Sequence, residues 1–219
     1  MFALVNKSDN SITKTYSGVR GITIGENQYP QTIFTLWTEA ERNAINIYTI
    51  EMDNSKFKNE QWYNNTDITY SFDGSKAKGS YGDATAKAHA DVNHVWTQEE
   101  IDDGEAPDGT SEGDAKKDDD GNQLITRGLK YILIKKIKDQ AKGELNKTDW
   151  YVVRKTEEDI AIPSTITTHR KAVRTKQAEM ETAITNASDT PALETLYTYT
   201  EQEDGSVTRP LGELPTLED

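Results

Sequence analysis

The stretch that decides the fold is Leu124–Leu145, LITRGLKYILIKKIKDQAKGEL. Leu124, Ile125, Leu129, Ile132, Leu133, Ile137, Ala141 and Leu145 recur at steps of three and four. That spacing puts them on one face of an amphipathic helix roughly 33 Å long, at about 1.5 Å per residue. Lys130, Lys135, Lys136 and Lys138 fall mostly on the other face. Downstream, Thr148-Asp149 offers a helix start or a turn before Trp150, and Pro163 suits the first turn of another helix. Ile166, Val173, Met180 and Ile184 give that helix its apolar stripe. The spacing therefore predicts an antiparallel helical hairpin over residues 123–187. Two helices alone make a thin core, so a third element or a partner is expected to cover the stripe.

On the C-terminal side, Ser188-Asp189-Thr190-Pro191 is a helix-start signal for a short helix over Ala192–Leu196. The remainder of 188–219, with Pro210, Gly212 and Pro215, reads as an extended tail. On the N-terminal side, residues 98–120 hold eleven acidic residues against Lys116 and Lys117, with Ile101 as the one large apolar side chain. Such a stretch buries too little apolar surface to offset its ordering entropy, so 91–122 reads as a solvated acidic linker. Residues 1–90 read as β-rich. Phe2–Val5 and Ile12–Tyr16 flank an Asp9-Asn10 turn, and Thr38 with Glu41 forms a capping box for a short helix to about Asn43. Ile45, Tyr48 and Ile50 begin a third strand, and Trp62-Tyr63 and Ile68–Phe72 are further ones, the last ending at Asp73-Gly74. The expected class is α+β: a small antiparallel β-rich module, an acidic linker, and a C-terminal α-helical hairpin.

Composition narrows the function. The chain has 219 residues, 25 basic and 38 acidic, for a net charge of −13. Such a balance gives no general affinity for nucleic acid or an anionic membrane. No run approaches a membrane span, and MFALVNKSDN lacks the pattern of a secretory leader. Cysteine is absent, which removes disulfides, thiolate metal sites and cysteine nucleophiles. His89 and His94, with Asp91 between them, are five apart and do not share a helix face, so they read as surface or turn residues rather than a metal site. His169 reads as a polar contact on a helix face. Asp118-Asp119-Asp120-Gly121-Asn122 invites a calcium-loop reading, but with Gly121 at the sixth position Lys116 and Arg127 stand where oxygen donors belong. Gly18, Gly21 and Gly25 precede no helix, so they mark strand ends and turns rather than a phosphate loop. No cofactor or metal is expected. No acid, base or nucleophile cluster is advertised, so the chain reads as a non-enzymatic, soluble protein that holds other proteins.

Arg170 and Arg174 share a helix face. They can clamp Glu157, Glu158 or Asp159 across the hairpin, or present a basic spot to an acidic partner; the internal reading is preferred. Trp150-Tyr151 can anchor the hairpin or stand exposed as a binding hot spot, and core packing is preferred.

Two stretches carry a resemblance. In Leu133–Arg174, Thr148-Asp149-Trp150, Pro163, Arg170 and Val173-Arg174 stand at the places of a recurring pattern: helix, Thr/Ser-Asp-Trp, proline, then a helix with a Tyr-Arg…Leu-Arg run. The stretch resembles the C-terminal helical module of tail assembly chaperones, or tail fibre assembly proteins, of tailed bacteriophages. His169 replaces the usual tyrosine. Asn27-Gln28-Tyr29-Pro30 through Glu41-Arg42-Asn43-Ala44-Ile45-Asn46-Ile47-Tyr48 is similar to their N-terminal module, in which a Tyr-Pro turn precedes a Glu-Arg helix and an Ile-Tyr strand. The resemblance implies a protein that binds and solubilises a phage tail fibre or tail structural subunit in the host cytoplasm. It places the contact on the helical module, at Trp150, Tyr151, Ile166, Arg170, Val173 and Arg174. The alternative it implies is a permanent virion component of the baseplate or fibre attachment. Self-association is left open.

Overall fold

The computed structural model describes residues 1–18 and 20–217. The chain forms two compact units, Met1–Thr85 and Ala86–Asp219. Helices and strands are both well represented, strands in the first and long helices in the second, so the fold is α+β.

The first unit is built on β1 (Phe2–Asn6), β2 (Ser11–Tyr16), the β3–β4 hairpin (Ile22–Ile24, Asn27–Tyr29), α1 (Glu39–Ala44), β5 (Ile47–Asp53), β6 (Tyr63–Asn64), β7 (Thr69–Phe72) and β8 (Ala77–Ser80), with β9 (Thr85–Ala86) at its end. Five strands form one sheet in the order β2-β1-β5-β8-β7. Side chains alternate between its faces, as a strand requires. Ala3, Val5, Tyr48 and Ile50 join Phe72 and Ala77 in one cluster. Phe2, Leu4 and Ile47 pack in the other with Tyr16, Ile22, Ile33 and Phe34. The Thr38–Glu41 capping box forms as expected: Thr38 N donates to Glu41 Oε2 at 2.7 Å, and Glu41 N donates to Thr38 Oγ1 at 3.3 Å.

The sheet is mixed, which corrects the expected antiparallel one: β5 and β8 run parallel, with Ile50 opposite Ala77. Parallel neighbours need a long crossover rather than a tight turn, and residues 54–76 supply it. No local turn signal announces such a pair. Nor does Ala-Lys-Gly-Ser, which has no β-branched or aromatic residue. Gly79 lies where a Cβ would come 2.7 Å from the Met52 sulfur, so close packing selects it rather than strand propensity.

The second unit holds β10 (Val92–Asn93), α2 (Gln98–Asp102), β11 (Ile125–Thr126), α3 (Leu129–Asn146), α4 (Asp149–Glu158), α5 (Ser164–Asn186), α6 (Thr190–Tyr197) and a small hairpin of β12 (Thr200–Glu201) and β13 (Val207–Thr208). Antiparallel α3 and α5 pack together, as the hairpin reading expects. Leu129, Leu133, Ile137 and Ala141 are buried on α3, and Ile166, Val173, Met180 and Ile184 on α5. Lys130 Nζ reaches Thr185 O at one end, and Arg170 Nη1 reaches Leu145 O at the other, both at 2.8 Å.

Three expectations are revised here. The helix begins at Leu129, not Leu124, and is therefore about 27 Å long. Asp91 accepts a hydrogen bond from Gly128 N at 2.8 Å, and a Cβ on Gly128 would lie 2.2 Å from Ala90 O. That contact ends the helix, and Ile125 pairs with Asn93 instead. The hairpin connection is itself a helix, α4, stopped by Asp159 in the left-handed region at φ 55°. The tail is not extended: beyond β13, Leu211 is buried and its N–H donates to Leu196 O at 3.0 Å. Arg209 lies over the rings of both Tyr197 and Tyr199.

The acidic stretch is solvated but not a linker. Residues 92–96, 113–117 and 123–126 are hydrogen-bonded together through His94 N–Leu124 O, Trp96 N–Asp114 O and Leu124 N–Lys116 O. A second capping box, Thr97 with Glu100, opens α2, and Lys116 lies 4.5 Å above the Trp96 ring. Gly104, Gly109, Gly113 and Gly121 take positive φ at the turns. Turn geometry and side-chain-to-backbone hydrogen bonds close this lobe where no apolar core does. Its ends meet at Asp91, which also pairs with Arg127 at 2.6 Å.

Candidate partner-binding surface

The motif residues Thr148, Asp149 and Arg170 converge on one junction. Arg170, nearly buried on α5, donates from Nη1 to Leu145 O at 2.8 Å and to Thr148 Oγ1 at 2.7 Å. Its Nη2 pairs with Asp149 at 2.8 Å. One guanidinium thus satisfies an end carbonyl of α3, a buried hydroxyl, and a carboxylate in the first turn of α4. The internal ion-pair reading of Arg170 is right in kind, but the partner is Asp149, not Glu157, Glu158 or Asp159. Asp159 instead pairs with Lys155 at 2.5 Å.

Three of the six proposed contact residues are spent inside. Val173 is fully buried, and Ile166 and Arg170 nearly so, because α3 covers the stripe on which they lie. They are corrected from contact to packing residues. Apolar periodicity marks a face that must be covered; it does not say by what.

Trp150 and Arg174 are exposed and Tyr151 is half-buried. The preference for Trp150 as a core anchor is thereby reversed: it is 51% exposed. Helix α4 buries none of its own residues, and Val152, Val153 and, just beyond it, Ile160 are exposed as well. Trp150 and Val153, three apart, share a face. The Trp150 and Tyr151 rings lie 3.8 Å apart, and the Arg154 guanidinium sits 4.7 Å from the first and 5.4 Å from the second. This stacking holds the aromatic pair in place at the surface. Beside it, α4 and α5 enclose an open groove of about 400 Å³, bordered by Val152, Ile162, Thr167, Lys171 and Arg174. Sequence reading missed Val152, Val153, Ile160 and Lys171. The Val-Val pair in a segment of weak helical period was the available signal.

The other candidates take up local roles. His94 Nε2 lies 2.6 Å from Thr126 Oγ1. His89 O accepts from Lys130 N at 2.9 Å, at the head of α3. His169 is half-buried, with Nε2 enclosed and without a hydrogen-bond partner. Asp91 is held below the usual carboxylate range, first by the Gly128 N–H and then by Arg127. Asp118 Oδ1 accepts from Asp120 N and Asn122 N at 3.1 and 2.8 Å, so its oxygens serve a turn. Among the described residues no three His, Asp or Glu side chains are grouped to hold a metal ion. No helix among them is long and apolar enough to cross a membrane. No family model matches the chain, and no match was found among curated proteins or solved structures.

Proposed function

We propose that this chain is a tail or tail fibre assembly protein of a tailed phage, and that the exposed face of α4 binds a fibre or tail subunit and keeps it soluble. The reading joins the sequence resemblance to one observation: α4 buries nothing of its own while exposing Trp150 and Val153 on one face and Val152 on the side of the groove. A short amphipathic element with an aromatic anchor and aliphatic neighbours is suited to covering apolar surface on another protein. The chain's net charge of −13 would keep the bound pair from aggregating. Nothing in this role calls for a catalytic group.

The test is co-expression with the tail and fibre subunits of the same phage, reading the soluble fraction. Trp150→Glu with Val153→Glu should lose the soluble subunit while the helical content of the variant stays intact, since both positions are exposed. Full subunit yield with that variant would refute the role of α4. Mass spectrometry of purified particles separates this reading from its alternative. Absence from particles supports a departing chaperone, and a fixed copy number per particle would make the chain a virion component instead.

A further inference from the structure

The groove between α4 and α5 combines apolar side chains with two cations that form no ion pair among the described residues. Val152 and Ile162 line it. The Thr167 hydroxyl already donates its proton to Pro163 O at 3.3 Å. Lys171 and Arg174, one turn apart on α5, stand at the rim. Five other cations between Leu129 and Asn186 are ion-paired: Lys138 with Glu181, Lys147 with Glu144, Lys155 with Asp159, Arg170 with Asp149 and Lys176 with Glu179. Lys171 and Arg174 form no ion pair among the described residues, in a chain with 38 carboxylate side chains and 25 cations. Residues 123–187 hold 13 basic and 8 acidic residues, so the helices are a basic region within an acidic protein.

We infer that this groove receives a peptide segment of a partner protein in which apolar side chains alternate with carboxylates. The apolar groups seat over Val152 and Ile162, and the carboxylates pair with Lys171 and Arg174. This rests on the reading of α4 as the docking surface and specifies the partner's chemistry. Charge complementarity selects the occupant: a basic segment would be repelled at the rim, and an uncharged one would leave both cations unpaired. A second copy of this chain is disfavoured by the repulsion of two bodies of charge −13.

The full chain is titrated against three labelled peptides by fluorescence anisotropy: alternating leucine and glutamate, alternating leucine and lysine, and alternating serine and glutamate. The leucine–glutamate peptide should bind at least about tenfold tighter than either control. Lys171→Glu with Arg174→Glu should invert the preference toward the leucine–lysine peptide. That gain of binding cannot come from unfolding. Equal binding of the first two peptides, or a preference unmoved by the charge reversal, overturns the inference. So does a wild-type dimer in sedimentation that the reversal dissociates, since the occupant would then be a second copy. In co-expression, a charge-reversed chain that still solubilises its subunit overturns the groove while the assembly role stands. A wild-type chain that binds the leucine–glutamate peptide but solubilises no subunit overturns the role while the groove stands.

Discussion

Arg170 spends its charge on holding three chain segments at one point. Replacing it with leucine takes the donor from the buried Thr148 Oγ1, the ion-pair partner from Asp149 and one of several donors from Leu145 O, which should cost about 2–3 kcal/mol. Arg174, one turn on and exposed, should tolerate alanine within about 0.5 kcal/mol. Urea denaturation followed by far-ultraviolet circular dichroism checks both, and equal effects would show that burial does not set the difference. Two glycines make a second pair. Gly128→Ala drives a methyl into the Ala90 carbonyl and should destabilise by at least about 2 kcal/mol. Gly143, inside α3 with open space around it, should gain up to about 1 kcal/mol from alanine. Their melting temperatures should therefore move in opposite directions. At this scale the sequence was partly legible. Thr148, Asp149 and Arg170 of the quoted pattern meet in the fold, yet a motif does not say whether its residues face inward, and these three serve the junction.

Elements whose signal is local were read well. Both the Thr38 capping box and the Asp189 cap with Pro191 formed where residue type and spacing put them. Elements set by contacts remote in sequence were missed: β8 by its parallel partner, the head of α3 by Asp91, and the acidic lobe by hydrogen bonds across some thirty positions. Low apolar content in the lobe argues against a core, and a core is not what closes it. Acid should reveal this. The Lys116 ammonium, then the Thr97 amide and hydroxyl, lower Glu100 from 4.5 to about 2. A carboxylate lowered on folding stabilises fully above its unfolded value. That contribution is lost as the pH falls from about 4.5 toward 2. Asp91 and Asp118 are lowered too and act in the same direction. The Trp96 indole resonance should therefore report a transition within that window. Lys116→Met should move it to higher pH, and an unchanged midpoint would rule out the Lys116–Glu100 pair as its cause.

Across the whole molecule, charge is distributed unevenly. The first unit has 8 basic and 10 acidic residues, and the second has 17 and 28. The second unit is itself divided, since the lobe is acidic and the helices basic. Net charge alone therefore hides that the helices carry an excess of basic residues. The meeting of Asp91 with Arg127 and Gly128 has one more consequence. Within the second unit, residues 92–127 leave the head of α3 and return to the same spot, so they form an insertion rather than a connection. Asn93 and Ile125 face each other as strand partners, a separation that a two-residue Asn-Gly turn spans. Replacing 94–124 with that turn should leave the helical unit folded, with α3 still starting at Leu129, as amide chemical shifts would report. Lengthening the excursion should be equally benign, because each doubling of a closed loop costs only about 0.6 kcal/mol. The lobe is thus a socket in the chain, where an affinity tag or a fluorescent domain can be carried at little cost to the helices beneath.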